Sequence, residues 1–570
     1  MKKLYFVFIL LVFKAPAQVS FVNQASALGV NMSAGDLEYG SGISFCDYNN
    51  DGWDDITIAT QGGSQTEFYL NDQDGTFTRQ NITLASNNVQ GRQLVWVDYD
   101  NDGDKDLFIV SNTDGNHLYN NNGSLIFTDV TAAAGLPTNN IESWGASFGD
   151  VNNDGYLDLF ISNRDDNLVQ PNLLFLNNQD GTFTDISLSS GIHSTSHLSF
   201  CSAFFDYNND GWQDIYIAND KIFNENFLYH NNGDNTFTNV APSAGVNIAI
   251  DAMTTTVGDY NNDGWFDIYV TNTPTQGNAL FRNNGDNTFT NVTVSSGTAF
   301  NSFAWGAVFL DADNDMDLDM YVSSSMDGSV PQLPSAVFYT NNNDGTFSTP
   351  NAGFVGDNGI SHANAVGDVD NDGYPEIIVS NANNENVFLW KNQTVQNNNW
   401  LKVKLEGVIS NKDGIGSKIE ISINGEKQYR YTLCGEGYIS QNSNSEFFGL
   451  GTNTIVDYVK VTWLSGAVDY FENVNANQQL NILEGSNPLH VDDFNNLSLF
   501  VKNPVGTELH ISSSETITEI MLYDLLGNRI LHEKLNTHSY QKNVSSLSQG
   551  IYLLKINSLN TQHLKRIIKK

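Results

Sequence analysis

Asp47-Tyr48-Asn49-Asn50-Asp51-Gly52-Trp53-Asp54-Asp55 is the stretch whose reading decides the fold. Six further copies of this acidic nine-residue loop open at Asp98, Asp150, Asp206, Asp259, Asp311 and Asp368, at steps of 51, 52, 56, 53, 52 and 57 residues. A period of that size marks supersecondary units that stack or arrange radially. Positions one, three, five and nine offer side-chain oxygens. They are Asp47, Asn49, Asp51 and Asp55; Asp98, Asp100, Asp102 and Asp106; Asp150, Asn152, Asp154 and Asp158; and Asp206, Asn208, Asp210 and Asp214. The last three loops offer Asp259, Asn261, Asp263 and Asp267; Asp311, Asp313, Asp315 and Asp319; and Asp368, Asp370, Asp372 and Glu376. Position six is glycine except at Met316, and glycine allows the positive φ of a tight turn. Such oxygen sets suit a hard cation taking about six to eight ligands. With no His or Cys in the pattern, calcium is favoured over zinc or copper. The competing reading is a set of Asx-turns capped by their own side chains, and seven copies in one phase favour metal. Because the protein fills the ligand positions, up to seven Ca2+ are expected in a structural role; catalysis needs an open position.

Each repeat has one grammar. A short apolar strand enters the loop (Val95-Trp96-Val97), a β-rich strand leaves it (Leu107-Phe108-Ile109-Val110), a third follows (His117-Leu118-Tyr119), and a turn leads to a fourth (Phe127-Thr128-Asp129-Val130). Four short strands with turn punctuation make one propeller blade. The seventh repeat ends at Phe388–Asn392 without a fourth strand, yet Phe21–Val30 parallels Phe127–Leu136. The missing strand lies at the other end of the chain, which closes a ring and hides both sheet edges. The expectation is an all-β chain with a seven-bladed propeller over residues 18–393.

Two small β-sandwich-like domains should follow. Residues 394–484 lack acidic loops but alternate as strands, with a hairpin turning at Asn424-Gly425. After a linker over 485–494, residues 495–570 hold nine of the chain's 26 Lys and Arg against five acids. The whole chain carries a net charge of −39, so nucleic acid is excluded as a partner for want of a basic footprint. Lys2-Lys3, the apolar Leu4–Phe13 and Ala15-Pro16-Ala17 read as a signal peptide over residues 1–17, too short to span a membrane. No later stretch reads as membrane-spanning, so a soluble, exported chain is expected. Cys46, Cys201 and Cys434 give no disulfide framework.

The loops and Phe-Thr strands resemble FG-GAP/VCBS repeats, the calcium-loop propeller repeats of integrin α heads. This resemblance implies that each loop joins the first two strands of a blade, on the face opposite the usual ligand face. Asn399-Trp400-Leu401, Ser410–Gly416, Gly435–Gln441, Phe448–Gly451 and Asn477–Leu480 resemble the ASPIC/UnbV domain, for which no chemistry carries over. Asn503-Pro504, Leu522–Gly527, Gly550–Leu553 and Lys569-Lys570 resemble a type IX secretion sorting domain, with Lys502 in place of the common aromatic. That likeness implies type IX secretion machinery as a partner and export across an outer membrane, to the medium or the cell surface.

A ligand face is expected opposite the loops. The residues six before each first Asp are Ser41, Arg92, Trp144, Phe200, Met253, Trp305 and His362. Around a channel mouth, Arg92, Trp144, Trp305 and His362 would suit a sugar or peptide by stacking and hydrogen bonding; the alternative is that the aromatics pack blades together. His193 and His197 read as loop or core residues. Gly-x-Ser-x-Gly, His-Glu-x-x-His and a phosphate loop are absent, and no catalytic residue is assigned. The favoured reading is a secreted, calcium-stabilised binding or adhesion protein for glycan or extracellular protein. A polysaccharide lyase or hydrolase using the channel face is the alternative.

Overall fold

The computed structural model describes residues 19–488 and 500–569, apart from 87, 193, 396–397, 502–504, 525–527 and 559–561. The signal peptide, His193, most of the expected linker and the Asn503-Pro504 motif lie outside the described residues.

Each acidic loop joins the first two strands of its own antiparallel sheet, and seven such sheets follow one another, six of four strands and the first extended to five by a parallel strand at Ser440–Gln441. In the second, Leu94–Val97, Asp106–Ile109, His117–Asn121 and Phe127–Asp129 pair in that order. Burial falls outward across this sheet. The first two strands are almost wholly buried, the third keeps two exposed-leaning positions, and the fourth buries chiefly its leading Phe. This gradient explains why the inner strands read as continuous apolar runs, as strands covered on both faces do, while the outer ones alternate. Inner strands touch at six of the seven junctions, Ser361–Gly367 of the last sheet touching Ile43–Cys46 of the first, and at the remaining junction Cys201 Sγ lies 3.1 Å from Met253 O. The propeller ring therefore closes along its axis.

It also closes at the rim. Phe21–Asn23 pairs antiparallel with Phe388–Asn392 in the register Phe21↔Asn392, Val22↔Lys391 and Asn23↔Trp390. The Phe21 side chain is fully buried, stacked 4.9 Å from Phe354. The strand missing after the seventh loop is thus supplied from the N-terminal end.

Residues 394–488 pack with the propeller in one compact unit that runs to Pro488, and the described residues beyond it form a second. Within the first, Asn399–Glu406 pairs with Ser445–Gly451 and Gln478–Leu483. A second sheet orders Glu426–Tyr431, Lys418–Ile423, Ile455–Thr462 and Val468–Asn475. Asn424 and Gly425, at φ 52° and 88°, make the expected hairpin turn. Between the sheets lie Leu401, Val403, Ile419, Ile421, Val459 and Trp463. The second unit is a sheet built on the long strand Glu508–Tyr523, packed around Leu509, Ile520, Leu522 and Leu554.

Candidate functional site

The seven loops share one hydrogen-bond scheme. The first Asp accepts the N–H groups of positions five and six, as Asp98 does from Asp102 at 3.1 Å and Gly103 at 2.8 Å. The position-five Asp accepts from position seven, as Asp102 does from Asp104 at 3.0 Å. The ninth residue accepts the N–H of an asparagine on the third strand, as Asp106 does from Asn121 at 2.8 Å. These bonds fold the loop around its carboxylates and fix their direction, but each carboxylate oxygen has a further lone pair to offer. Asp98, Asp100 and Asp106 converge, as do Asp311, Asp313 and Asp315, and Asp368, Asp370 and Glu376. These are the loops with Asp at position three.

Converging buried carboxylates repel, and burial disfavours their charged form. Burial, followed by the coulombic effect of Asp413, pushes Asp98 up to about 7. Burial, reinforced by Asp100 and Asp98, pushes Asp106 to about 9. Burial likewise raises Asp55 to about 9, Asp150 and Asp259 to about 7, and Asp206 to about 6. Buried oxygens of Asp55, Asp100, Asp267, Asp317 and Asp370 meet no hydrogen-bond donor. Buried acceptors of this kind are met by a cation or by ordered water, and oxygen donors of this type are those calcium takes. At Met316 the turn keeps its geometry, with φ 88°. The strain of a left-handed non-glycine residue is stored there.

Position four, which no metal argument singles out, ties the loops to one another. Every loop has asparagine there, at φ between 53° and 60°. Each side-chain amide donates to the position-six carbonyl of the next loop: Asn50 to Gly103, Asn101 to Gly155, and so on to Asn371, which donates to Gly52. The result is an unbroken ring of seven bonds. Third-strand asparagines reach backwards, as Asn177 Nδ2 does to Tyr99 O at 2.7 Å. The repeat's invariant Asn was visible in the sequence, but its partner lies in another blade. Replacing Asn101 by Ala should cost about 2 kcal/mol, about half from the lost bond and half from left-handed backbone strain; thermal denaturation measures it.

Residues 400–488 sit on this ring of loops. Lys404 Nζ lies 2.8 Å from Asp47 Oδ2, Lys418 Nζ 2.9 Å from Asn209 Oδ1, and Lys105 of the second loop pairs with Asp413. From the same region, residues 434–444 enter the channel. Ser440 and Gln441 pair in parallel with Ile43 and Ser44. Trp96 N–H donates to Gln441 Oε1 at 2.7 Å, and Gln441 Nε2 returns a bond to Trp96 O at 2.9 Å. Gln93 Nε2 donates to the Gly435 and Ser440 carbonyls. Gly435, at φ 81°, is required here, since a Cβ would stand 2.4 Å from Ala146 O.

This plug reaches the ring of residues expected to line a ligand opening. Trp144, Phe200, Met253 and Trp305 form one buried cluster with Tyr438 and Ile439, against which Tyr39 packs. The Tyr438 ring lies 5.0 Å from Trp305 and 5.6 Å from Phe200, and its hydroxyl donates to Tyr39 O at 2.9 Å. Arg92 is 3% exposed, stacks 4.1 Å from the Trp144 ring centre, and donates to the Glu38 and Gly40 carbonyls. His362 is 4% exposed, and burial holds it near pKa 3, hence neutral. Ser41 is buried as well. The seven positions do converge, but as packing within a filled channel rather than as an open mouth. The sequence reading missed Tyr39 and Tyr438, whose ring positions depend on contacts between distant segments.

Comparison with known proteins agrees with this geometry. Overlapping matches to the FG-GAP-like repeat cover 47–322 and 328–379, the ASPIC and UnbV model matches 407–488, and the secretion system C-terminal sorting domain matches 503–570. Cartilage acidic protein 1 of Xenopus tropicalis is 26% identical over 270 residues, covering 42% of this chain and 41% of that protein. The Homo sapiens protein is 26% identical over 276 residues, covering 46% and 40%. The matched segment is thus about four tenths of these relatives' length. The extracellular domain of a B. thetaiotaomicron protein assigned as a one-component system aligns over 97% of this chain and 58% of its own, at 11% identity and a TM-score of 0.38. The sorting domain indicates export across the outer membrane, to the cell surface or beyond. No helix among the described residues is long and apolar enough to cross a membrane. The chain belongs to the FG-GAP-like repeat family, in a form that also carries an ASPIC and UnbV domain and a secretion-system C-terminal sorting domain.

Proposed function

We propose that this is a secreted, calcium-stabilised binding protein whose ligand, an extracellular glycan or protein, meets the loop tips on the face opposite the acidic loops. The observation that carries this reading is the filled channel. Arg92 and His362, the ionisable groups of that ring that an enzyme on the axis would use, are buried, Arg92 against Trp144 and His362 against Trp305. A lyase or hydrolase at that position would need both groups within reach of substrate. Around them, the connections that follow second strands present exposed apolar tips: Val169 is 68% exposed and Phe223 67%, with Leu168 and Ile222 beside them in sequence. Neighbouring exposed apolar groups with a polar surround mark interaction surfaces. Here the surround includes the exposed Asp166, 3.0 Å from the buried Arg164.

Calcium in this reading is a structural element. The loop oxygens named above would hold it, and it would supply positive charge to carboxylates that otherwise resist ionisation. A glycan array run with matched turnover assays tests the proposal. Binding without product release is expected, and Val169→Asp combined with Phe223→Asp should weaken it at least tenfold while leaving the melting temperature within about 2 °C, as expected for exposed substitutions. Product release from any bound polysaccharide would sink it.

A further inference from the structure

Loop seven carries a cation of its own. Its ninth residue is Glu376, where the other loops have Asp, and Lys391 lies across from it on the third strand, next to the Ile377↔Trp390 pair. Lys391 Nζ stands 2.7 Å from Asp370 Oδ2 and 3.1 Å from Glu376 Oε1. It thus bridges positions three and nine, two of the ligands a calcium ion would have to bridge. Glu376 is fully buried and the Lys391 side chain only 16% exposed, so the pair is largely shielded from water.

Among the described residues no other loop has an ammonium bridging two of its ligand carboxylates: Lys404 meets Asp47 alone in loop one, and the exposed Arg282 at the matching position of loop five makes no ion pair with a loop carboxylate. The residue matching Lys391 is Leu70, Asn120, Leu176, His230, Arg282 or Thr340. Loop two is the useful comparison, because it also has four carboxylates. There Asn120 donates a neutral amide to Asp100 Oδ2 at 3.0 Å, leaving the carboxylate charge uncompensated from that side. His230 in loop four reaches a single ligand, Asp214 Oδ1, at 3.1 Å. Loop seven alone among these places an ammonium between two ligands. A second ammonium stands close by, with Lys402 Nζ 2.9 Å from Asn371 Oδ1 and 3.8 Å from Asp368 Oδ2. The extra methylene of Glu376 has a clear use in this arrangement, since it extends the carboxylate towards the third strand and its lysine. An ammonium has donors that satisfy carboxylates directly. It also lowers the electrostatic attraction for a divalent ion at the same oxygens.

We infer that Lys391 is the resident cation of loop seven, which folds without calcium while its sister loops take the metal. The inference rests on the calcium reading above, and it lowers the expected number of ions from seven to at most six. Elemental mass spectrometry of the full chain, desalted after calcium saturation, tests it. Lys391→Gln should bind one more equivalent than the wild type, and Lys391→Arg should match the wild type. Equal counts for wild type and Lys391→Gln would overturn the inference. If Lys391→Gln does not fold, wild-type crystals soaked in terbium decide the matter by anomalous scattering. Peaks in other loops and none among Asp368, Asp370 and Glu376 are expected, and a peak there overturns it. No bound ion at any loop would overturn both this inference and the calcium reading, a result distinct from seven peaks.

Discussion

Chelating calcium from the full chain at pH 8 is expected to lower the melting temperature of the 19–488 unit by roughly 15 °C or more. An ion bound only by the folded state adds about 2.7 kcal/mol at a hundredfold excess over its Kd. Six such sites sum to about 16 kcal/mol, and a unit of this size moves by roughly 1–2 °C per kcal/mol. The effect should depend on pH with a definite sign. In chelator, Asp55, Asp98, Asp106, Asp150 and Asp259 have folded-state pKa values of about 7 to 9, against an ordinary 3.8. Their raised values contribute stability that is full below about pH 4 and lost as pH rises through 7 to 9. His362 acts in the opposite direction. Its folded pKa of about 3 lies below the ordinary 6.5, so its contribution is present above pH 6.5 and lost as pH falls towards 3. The chelated protein should therefore melt highest in mild acid. With calcium bound the loop carboxylates are ionised, so the gain from calcium should be largest near pH 8 and small near pH 5.5. Scanning calorimetry with and without chelator at the two pH values measures this. An unchanged melting temperature in chelator at pH 8 would refute a structural metal.

Tyr438→Ala is the substitution with the largest expected cost. The ring is fully buried against Phe200 and Trp305, and its hydroxyl closes on Tyr39 O. Truncating a buried aromatic typically costs about 3–5 kcal/mol, because the cavity relaxes only in part. The loss should fall on the joint between channel and plug. Two melting transitions in place of one, and faster proteolysis within residues 400–488, are the expected signs. Tyr438→Phe keeps the packing and gives up one hydrogen bond, about 1 kcal/mol. If Tyr438→Ala melted like the wild type, residues 434–444 would not be the stopper described above.

The ring of loops and the plug have a common consequence. Lys402, Lys404 and Lys418 reach the acidic loops from residues 400–488, and Lys105 reaches back to Asp413. The surface formed by the acidic loops thus also docks the following region, which explains why residues up to Pro488 form one compact unit.

The sequence by itself determined the repeat, the four-strand grammar and the closure of the ring. Those features are written in local periods, and the pairing of Phe21–Asn23 with Phe388–Asn392 was legible because one copy of a sevenfold pattern was displaced to the other end. The clustering of the loop carboxylates was legible for the same reason, since each set lies within nine consecutive residues. The role of Lys391 was not, because its two partners sit fifteen and twenty-one residues away across a sheet. Nor was the fate of the channel. Trp144, Phe200 and Trp305 face inward whether the space between them holds a ligand or Tyr438, and the plug comes from more than a hundred residues further along the chain. Patterning fixes which side chains turn inward; what fills the space they enclose is settled only by contacts between segments that share no local pattern.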